Sequence, residues 1–457
     1  MKLFFAITLL FLAINTQALT EQSFVQQLKE AHPFFKQQAL TSAVRQVEKR
    51  ATTANQDWII GINSDYQREK NAKDAAAIYD NLDTTSAGIS ATKKFTNTGS
   101  QFTLKHTWRE KSKDLNTNRS QFSLDYNLPL LRNWGGINDR LGTDVADIEI
   151  SKNSLERLEA EEAFMLKNLL RFFDLAYAQK QQMINKNRLE LTQKELTLVQ
   201  KKYASSVVEK VDVLLQKDAY QKAKQQLLQA QQELTLLRHE IAITLNIDFE
   251  QVVAQVDLYK TYNPKSIVLW TYLQKNSRVL KINKLVEKAL NRQLLSFKNQ
   301  SKVQLDLNLN LSSAGEDDSY SNSLEKQSSA WKVGLGLVYP LGSTKSNSDV
   351  EKVNIQLQSL KQSKHEQLLD IYTQAKTLKE KTVLLEEILA SNEIQIKIAK
   401  ERTIEEKQRY SNGNGQASFV INAQNNEQTA QLNYAQSGRN YQKSVLQFRA
   451  AIDLLIQ

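Results

Sequence analysis

The chain has no cysteine among its 457 residues. This absence excludes disulfides, thiolate metal sites and a lipid-carrying N-terminal cysteine. Glycine and proline are also scarce, with 13 and 4 residues. Because these two residues punctuate helices and strands, their scarcity predicts few turns and long elements. Stability must then come from packing alone.

Long hydrophobic runs are also missing, except at the N-terminus. The first residues read "MKLFFAITLLFLAINTQA", in which Lys2 precedes an apolar run and small residues lead to Ala18. This pattern is typical of a secretory signal peptide, here residues 1–18, with the mature protein beginning near Leu19. A membrane anchor is the weaker interpretation, because a run of about twelve residues is shorter than the roughly twenty that a helix needs.

Neither the charge nor the polar motifs predict a catalytic or nucleic-acid-binding protein. The formal net charge is +10, but Lys and Arg alternate with Glu and Asp along helical stretches, which favours a solvated helix surface. The four histidines are scattered over separate elements, and no metal-binding, nucleophile or phosphate-binding motif is present. The sequence therefore predicts no enzyme, no cofactor, no metal site and no nucleic-acid partner.

The chain reads as a duplication. "LKEAHPFFKQQALTSAVRQVEKRATTANQDWIIGINSDY" from Leu28 aligns without a gap with "LQKNSRVLKINKLVEKALNRQLLSFKNQSKVQLDLNLNL" from Leu273. In both copies, a strand then ends on proline, at Pro129 or Pro340, with glycine soon after, and helical periodicity follows. We interpret these two prolines as the strand-to-helix transitions.

The predicted layout has two copies of one series: helix, strand, loop, strand, and a hairpin of two long helices. The repeats are residues 19–247 and 266–457, joined by a linker at 248–265. The predicted strands are about 57–67, 119–129, 303–311 and 331–339, and the helical turns are about 203–212 and 410–419.

The helical arms have the spacing of a coiled-coil seam. Residues 138–202 contain no proline and could reach about 95 Å at 1.5 Å per residue. Apolar residues recur there in threes and fours. They are Leu155, Leu158, Met165, Leu169, Phe172, Ala176 and Met183, and on the returning arm Tyr220, Ala223, Leu227, Ala230, Leu234, Leu237 and Ile241.

The strands are two-faced. In "VQLDLNLNL", Val303 to Leu311, every second residue is apolar and the others are Gln, Asp or Asn. Two interpretations are open: a soluble sandwich with the apolar face as core, or a membrane barrel with that face in lipid and aromatics near its rims. A barrel must close, and the smallest have about eight strands. One chain offers four clear strands, so subunits would have to share a barrel, twelve strands for three copies.

The repeated strand–Pro–Leu–Gly series, the turns "KKYASS" and "QRYSNGNG", and the duplicated layout together resemble the outer-membrane efflux protein family, the TolC-like channels. The resemblance covers nearly all of the mature chain. It implies an α+β membrane protein, a homotrimer with a twelve-stranded β-barrel in the outer membrane of a Gram-negative bacterium and a coiled-coil α-helical barrel in the periplasm. It also implies an exit duct of a tripartite efflux pump or type I secretion system, docked to a periplasmic adaptor (membrane fusion protein) and an inner-membrane transporter.

The first half departs from that pattern. Segments within about 86–109, "AGISATKKF" and "GSQFTLKHTW", read as an additional hairpin. We expect it to extend above the membrane as a loop. The alternative is that it joins the barrel and enlarges it to eighteen strands.

The resemblance also places candidate functional residues at the two helical turns, which would form a gated periplasmic entrance. Asp212 and Tyr410 match a family hydrogen bond that holds the entrance closed, although Asp212 also suits a helix cap. A second link is in doubt because its arginine position is Gly415, opposite Val211. Phe419 and Asn422 stand where the family has an aspartate ring, which predicts a less acidic constriction. Candidates for adaptor docking are Tyr203, Ser206, Tyr410 and Gly413.

A second function is compatible with the sequence: a non-conducting trimeric coiled-coil protein that anchors or spaces the cell envelope. The duplication favours the duct, because an anchor does not need strands arranged as two hairpins between returning helices. The transported substrate is not encoded in any motif of the chain.

Overall fold

The computed structural model describes residues 18–71, 79–262 and 267–456. The predicted signal peptide, apart from Ala18, and the end of the predicted linker, 263–265, lie outside them. The chain divides into a helical unit, residues up to 39, 157–278 and from 367 onward, and a sheet unit, residues 40–156 and 279–366.

The described helices and strands follow one another in groups along the chain. They are α1 Glu21–Ala31, α2 Pro33–Ala51, β1 Ile59–Lys70, β2 Asn81–Phe95, β3 Ser100–Lys113, β4 Thr117–Pro129, α3 Leu141–Ala204, α4 Lys210–Leu245, α5 Leu269–Asn276, α6 Arg278–Gln300, β5 Gln304–Asp317, α7 Tyr320–Glu325, β6 Ser328–Val338, α8 Thr344–Ser411 and α9 Ala417–Ala451. The two predicted long helical hairpins are α3 with α4 and α8 with α9. Among the described residues, no helix combines the length and the apolar character needed to cross a membrane.

The helical unit has the main hydrophobic core. Phe24 of α1 stacks on Phe172 of α3 with ring centroids 4.6 Å apart, and both side chains are almost fully buried. The predicted seam is largely confirmed, because Met165, Leu169, Phe172 and Ala176 on α3 and Ala223, Ala230, Leu234 and Ile241 on α4 are buried. The predicted residues Leu155, Leu158, Tyr220, Leu227 and Leu237 are half-buried, and Met183 is 46% exposed.

The predicted linker packs closely against α9 over its described part. The buried Tyr441 accepts a hydrogen bond at its hydroxyl from the Tyr262 backbone N–H, 2.8 Å away. Gln442 donates from Nε2 to the Lys260 carbonyl at 2.6 Å. These bonds satisfy backbone groups of an irregular segment, which would otherwise be costly to bury.

The sheet unit holds one antiparallel sheet with strand order β1-β2-β3-β4-β5-β6. The predicted partnership of "VQLDLNLNL" with "WKVGLGLVY" is confirmed, since Leu309 pairs with Val333 and Leu311 with Trp331. β4 ends at Pro129, as predicted, and β6 ends at Val338, two residues before Pro340.

The prediction of four strands per chain was wrong, because the described residues contain six. The additional hairpin, β2 and β3, was expected to extend above the membrane as a loop, but it lies inside the sheet. β1 pairs along β2 and β4 pairs along β3, each through a continuous register. The physical reason is that β2 and β3 are as long as their neighbours, so both partners gain complete backbone hydrogen-bond ladders.

The hairpin also continues the two faces of the sheet. One register row runs Ile60, Ala91, Leu104, Leu124, Leu311 and Trp331 across all six strands. The row beside it, on the opposite face, includes Ser90, Lys105, Ser123 and Ser312. The described residues do not cover the apolar face, since Ile62 is 81% and Trp331 is 76% exposed.

Glycines at the turn after β4 allow a close backbone approach. A Cβ atom on Gly136, which has φ of +66°, would overlap the Thr96 carbonyl oxygen in the β2–β3 turn. The short β2–β3 turn therefore lies at the end of the sheet where Pro129 ends β4.

Candidate functional site: the helical tip

The turns after α3 and α8 end their helices in the same way. After α3, Ser206 has φ of +56°, and the Val207 N–H donates to the Lys202 carbonyl at 2.9 Å. After α8, Gly413 has φ of +78°, and the Asn414 N–H donates to the Arg409 carbonyl at 3.0 Å. Both are Schellman motifs, in which a left-handed residue lets the chain satisfy the last carbonyls of the helix.

This geometry predicts that substitutions at Ser206 and Gly413 change the stability of the turns in opposite directions. Glycine has no Cβ penalty in the left-handed region, whereas serine does. We expect Ser206→Gly to raise the free energy of unfolding of the tip, and Gly413→Ala to lower it, each by about 1 kcal/mol. The Gly413 site has open space around an added Cβ, so backbone strain alone is tested. Protease cleavage at the two turns measures it; equal susceptibility of both variants would contradict the account.

Asp212 caps the start of α4. Its Oδ2 accepts a hydrogen bond from the Glu209 backbone N–H at 3.3 Å, and Asp212 is the third residue of that helix. This is half of a capping box, and the carboxylate also lies at the positive end of the helix dipole. The predicted capping role is therefore present in the structure.

Tyr410 lies in a small cavity between the helix ends. The cavity, about 230 Å³, is lined by residues of α3, α4, α8 and α9, among them Glu195, Gln216 and Val420. The Lys202 ammonium lies over the Tyr410 ring, 5.1 Å from its centroid. Burial, and the negative charge of Asp212, raise the pKa of Tyr410, so its hydroxyl stays protonated.

The predicted hydrogen bond between Asp212 and Tyr410 is not formed in this conformation. The Tyr410 hydroxyl is buried and has no hydrogen-bond partner among the described residues. Asp212 instead bonds to its own helix terminus. The two residues lie near the same tip, and their role as a gate stays a prediction.

The other predicted entrance residues lie on or just before α9. Phe419 is 50% exposed, and Asn422, one helical turn further on, is also exposed. Gly415 lies close to the backbone of Tyr410. A Cβ atom added to Gly415 would be 3.0 Å from the Tyr410 backbone nitrogen. Neither Phe419 nor Asn422 carries charge, so the predicted less acidic constriction stays open to test.

The two turns at the helical tip differ in the side chains that they expose. At the first turn, beside Tyr203 and Ser206, the apolar residues Val207, Val211 and Leu214 are more than half exposed. The second turn exposes Asn412, Gly413 and Asn414. The residue pattern alone pointed to Ser206 and Gly413 as docking candidates but not to these exposed apolar side chains.

A buried polar network links the four helices near the tip. Arg188 of α3 donates to Gln424 Oε1 at 2.5 Å and to Asn425 Oδ1 at 2.9 Å, both on α9. Gln424 donates in turn to Glu195. Glu195 also accepts from Gln216 of α4 at 2.8 Å and lies 3.5 Å from the Lys407 ammonium of α8.

Arg188 is the unusual member of this network. It is 6% exposed, and burial lowers the pKa of its guanidinium, while the charges of Glu195 and Glu427 oppose that shift. Its direct partners are neutral amides. The sequence analysis missed this network, although Asn185, Arg188, Thr192 and Glu195 continue the three-and-four spacing of the α3 seam with polar residues.

Comparison with known proteins shows the class of fold. The chain has the fold of outer-membrane channels. The Vibrio cholerae outer membrane protein VceC matches with a TM-score of 0.67 and 12% identity, over 94% of this chain and 95% of that one. The open Neisseria gonorrhoeae MtrE channel matches with a TM-score of 0.68 and 12% identity, over 95% and 89%. The Campylobacter jejuni CmeC channel matches with 0.60 and 13%, over 96% and 86%.

At these identities the likeness establishes the fold. No protein-family model matches the sequence, and no curated protein matches it. The TolC-like resemblance of the sequence is confirmed at the level of the fold. The three structures compared above are named as an outer-membrane protein or outer-membrane channels, in agreement with the non-enzymatic prediction.

Proposed function

We propose that the protein is an outer-membrane efflux channel of the TolC-like family, a passive exit duct for a tripartite pump or type I secretion system. It works as a homotrimer that docks to a periplasmic adaptor and an inner-membrane transporter. The tip at Asp212 and Tyr410 is the gated entrance. The fold likeness over nearly the whole chain supports this proposal.

One observation carries it: the sheet is open, two-faced and incomplete. Among the strands that the structure describes, β1 and β6 each have a partner on one side only, and both are long strands. Unpaired strand edges beside an exposed apolar face are unfavourable in water and in lipid. Further copies of the sheet would pair these edges and close a barrel, with eighteen strands for three chains, in which the apolar face meets lipid and the polar face lines water.

Single-cysteine labelling tests the assignment of the faces. The chain has no cysteine of its own, so the introduced thiol is the only one that a reagent can label in each variant. We expect Ser312→Cys, on the polar face, to react with a charged, membrane-impermeant thiol reagent in outer-membrane vesicles. Leu311→Cys, the next residue, should resist that reagent and react with a maleimide that partitions into lipid, because the period of a strand is two.

Conductance in planar bilayers tests the duct itself. Purified protein is expected to form large water-filled pores, and Asp212→Ala should raise their open fraction by loosening the start of α4. The matched control is Asp218→Ala, an exposed residue of the same helix that pairs with Lys222 one turn away. The proposal would be wrong if neither the wild-type protein nor either variant conducted and if Leu311→Cys did not react with the lipid-soluble reagent. The chain would then be a structural envelope protein.

A further inference from the structure

The additional hairpin places a row of cations on the polar face of the sheet. Lys105, Arg109 and Lys111 alternate on β3 with apolar-face residues such as His106 and Trp108. The register puts Lys105 opposite Ser90 and Ser123, and Arg109 opposite Ser86 and Arg119. We call these three residues the cationic stripe. It extends over about 20 Å of strand at 3.4 Å per residue.

The stripe has no counter-charge of its own. None of its three residues forms an ion pair with a described residue, whereas other cations of the sheet unit do, such as Lys94 with Asp139 at 2.7 Å. The polar face of β3, residues 101 to 113 in steps of two, contains no acidic residue.

Acidic residues do lie on the same face of neighbouring strands, and two of them, Asp65 and Glu316, share the register row of Arg109. Each acidic residue, however, has a described partner other than the stripe. Asp65 accepts a hydrogen bond from Ser86, and Asp125 from Asn310 at 2.6 Å. Asp306 accepts from Gln304 at 2.6 Å. Glu316 lies 3.8 Å from Arg119, and Glu69 accepts from Gln67 at 2.7 Å.

One pairing within this surface is unfavourable for folding. Arg109 and Arg119 are directly opposite each other on β3 and β4, and like charges at such positions destabilise a sheet. Lys105 and Arg109 are also exposed. A solute of opposite charge on this face would relieve the repulsion.

We propose that the cationic stripe makes the duct selective for anions and that its cargo includes anionic solutes. This inference rests on the proposed function, since the polar face must line water. Charged rings are a common source of selectivity in pores, and symmetric copies would turn the stripe into such rings. The uncharged Phe419 and Asn422 at the tip do not oppose this preference.

Reversal potentials across a KCl gradient test the inference in the full-length protein. Salt below about 0.1 M keeps the screening length near 10 Å or longer. Wild-type pores are expected to pass chloride several-fold better than potassium. The variant Lys105→Gln/Arg109→Gln/Lys111→Gln should lose most of that preference, and Arg109→Glu alone should lower it, while Arg109→Lys should keep it.

The matched control is Lys93→Gln. Lys93 belongs to the same hairpin but to the other face, where its ammonium lies 5.4 Å from the Trp58 ring centroid. Lys93→Gln removes one positive charge from the hairpin without changing the water-lined face, so the ion selectivity should stay at the wild-type value. Resistance of the assembled protein to unfolding by heat in detergent checks each variant, and Arg109→Glu carries the test if the triple variant does not assemble.

The outcomes separate the two proposals. Wild-type protein that forms no pore overturns the proposed function. Wild-type pores that prefer potassium, or that keep the chloride preference in Arg109→Glu and the triple variant, overturn the cationic stripe and leave the duct intact. A shift in Lys93→Gln as large as in the triple variant would also overturn it.

Discussion

Replacing Arg278 by alanine is expected to lower the free energy of unfolding by about 3–5 kcal/mol, because it leaves one buried and two half-buried carboxylates without their cation. Arg278 begins α6 and is 7% exposed. Its Nε lies 2.6 Å from Glu159 Oε1, and one terminal nitrogen lies 3.3 Å from Asp453 Oδ1. The same guanidinium also contacts the almost fully buried Glu162.

The effect should be large because the acidic partners hold other parts of the helical unit. Asp453 Oδ2 accepts from the Arg278 backbone N–H at 2.7 Å, and Glu162 Oε1 accepts from the Leu455 N–H at 2.9 Å. The C-terminal residues are therefore bound through the carboxylates that Arg278 neutralises. Carboxylate oxygens of Glu159, Glu162 and Asp453 lie within 4.8 Å of one another. Removal of the cation would therefore leave like charges close together.

Denaturant unfolding followed by circular dichroism measures this change. The control is Arg45→Ala, whose ion pair with Glu48 on α2 is exposed on both sides and is worth less than about 1 kcal/mol. Arg278→Lys should lie between the two, because an ammonium keeps the charge but not the planar set of donors. Equal losses for Arg278→Ala and Arg45→Ala would contradict the assignment of Arg278 as the neutralising centre.

Replacing Gln424 by leucine should cost about 3 kcal/mol or more and loosen the helical tip. The side chain accepts from Arg188 and donates to Glu195, so its loss leaves a buried cation and a half-buried anion each with one bond fewer. Hydrogen bonds to charged groups contribute about 1.5–3 kcal/mol each. Leucine is of similar size, so the loss is due to polarity and not to a cavity.

Hydrogen exchange of the tip segments of α3 and α9 is the direct measurement, and protection there should fall by more than in the rest of the helical unit. Gln431→Leu is the matched control, because among the described residues that glutamine side chain bonds only to Glu427 on its own helix, at 3.3 Å. If the tip is the gate, Gln424→Leu should also raise the open fraction of the pores. If Gln424→Leu changed hydrogen exchange at the tip no more than Gln431→Leu does, the network would add no stability.

Much of the fold follows from local pattern. The three-and-four spacing of residues such as Leu169 and Phe172 predicts the long helices, and the alternation of "VQLDLNLNL" predicts β5 and which of its residues share a face. The tip turns were also readable, since "SNGNG" contains a glycine suited to the left-handed region. These features depend on neighbours along the chain, which the sequence presents directly.

The tip chemistry was less predictable. The sequence places Asp212 and Tyr410 at the turns, but an aspartate that caps a helix and one that bonds a tyrosine across helices have the same local signature. Arg188 and Gln424 are 236 residues apart, and each by itself resembles a residue of a solvated helix face. Their burial depends on how α3, α8 and α9 pack.

By itself, the sequence determined the long helical hairpins, the two-faced strands, their ends near Pro129 and Pro340, and the absence of any catalytic motif. Only the tertiary structure decided that β2 and β3 lie inside the sheet and that Arg188 is buried among amides. The physical reason is that strand pairing is made by backbone groups that every residue carries, so the side chains specify a face but not a neighbour. That choice of neighbour is what makes a six-stranded sheet with a row of cations on its polar face.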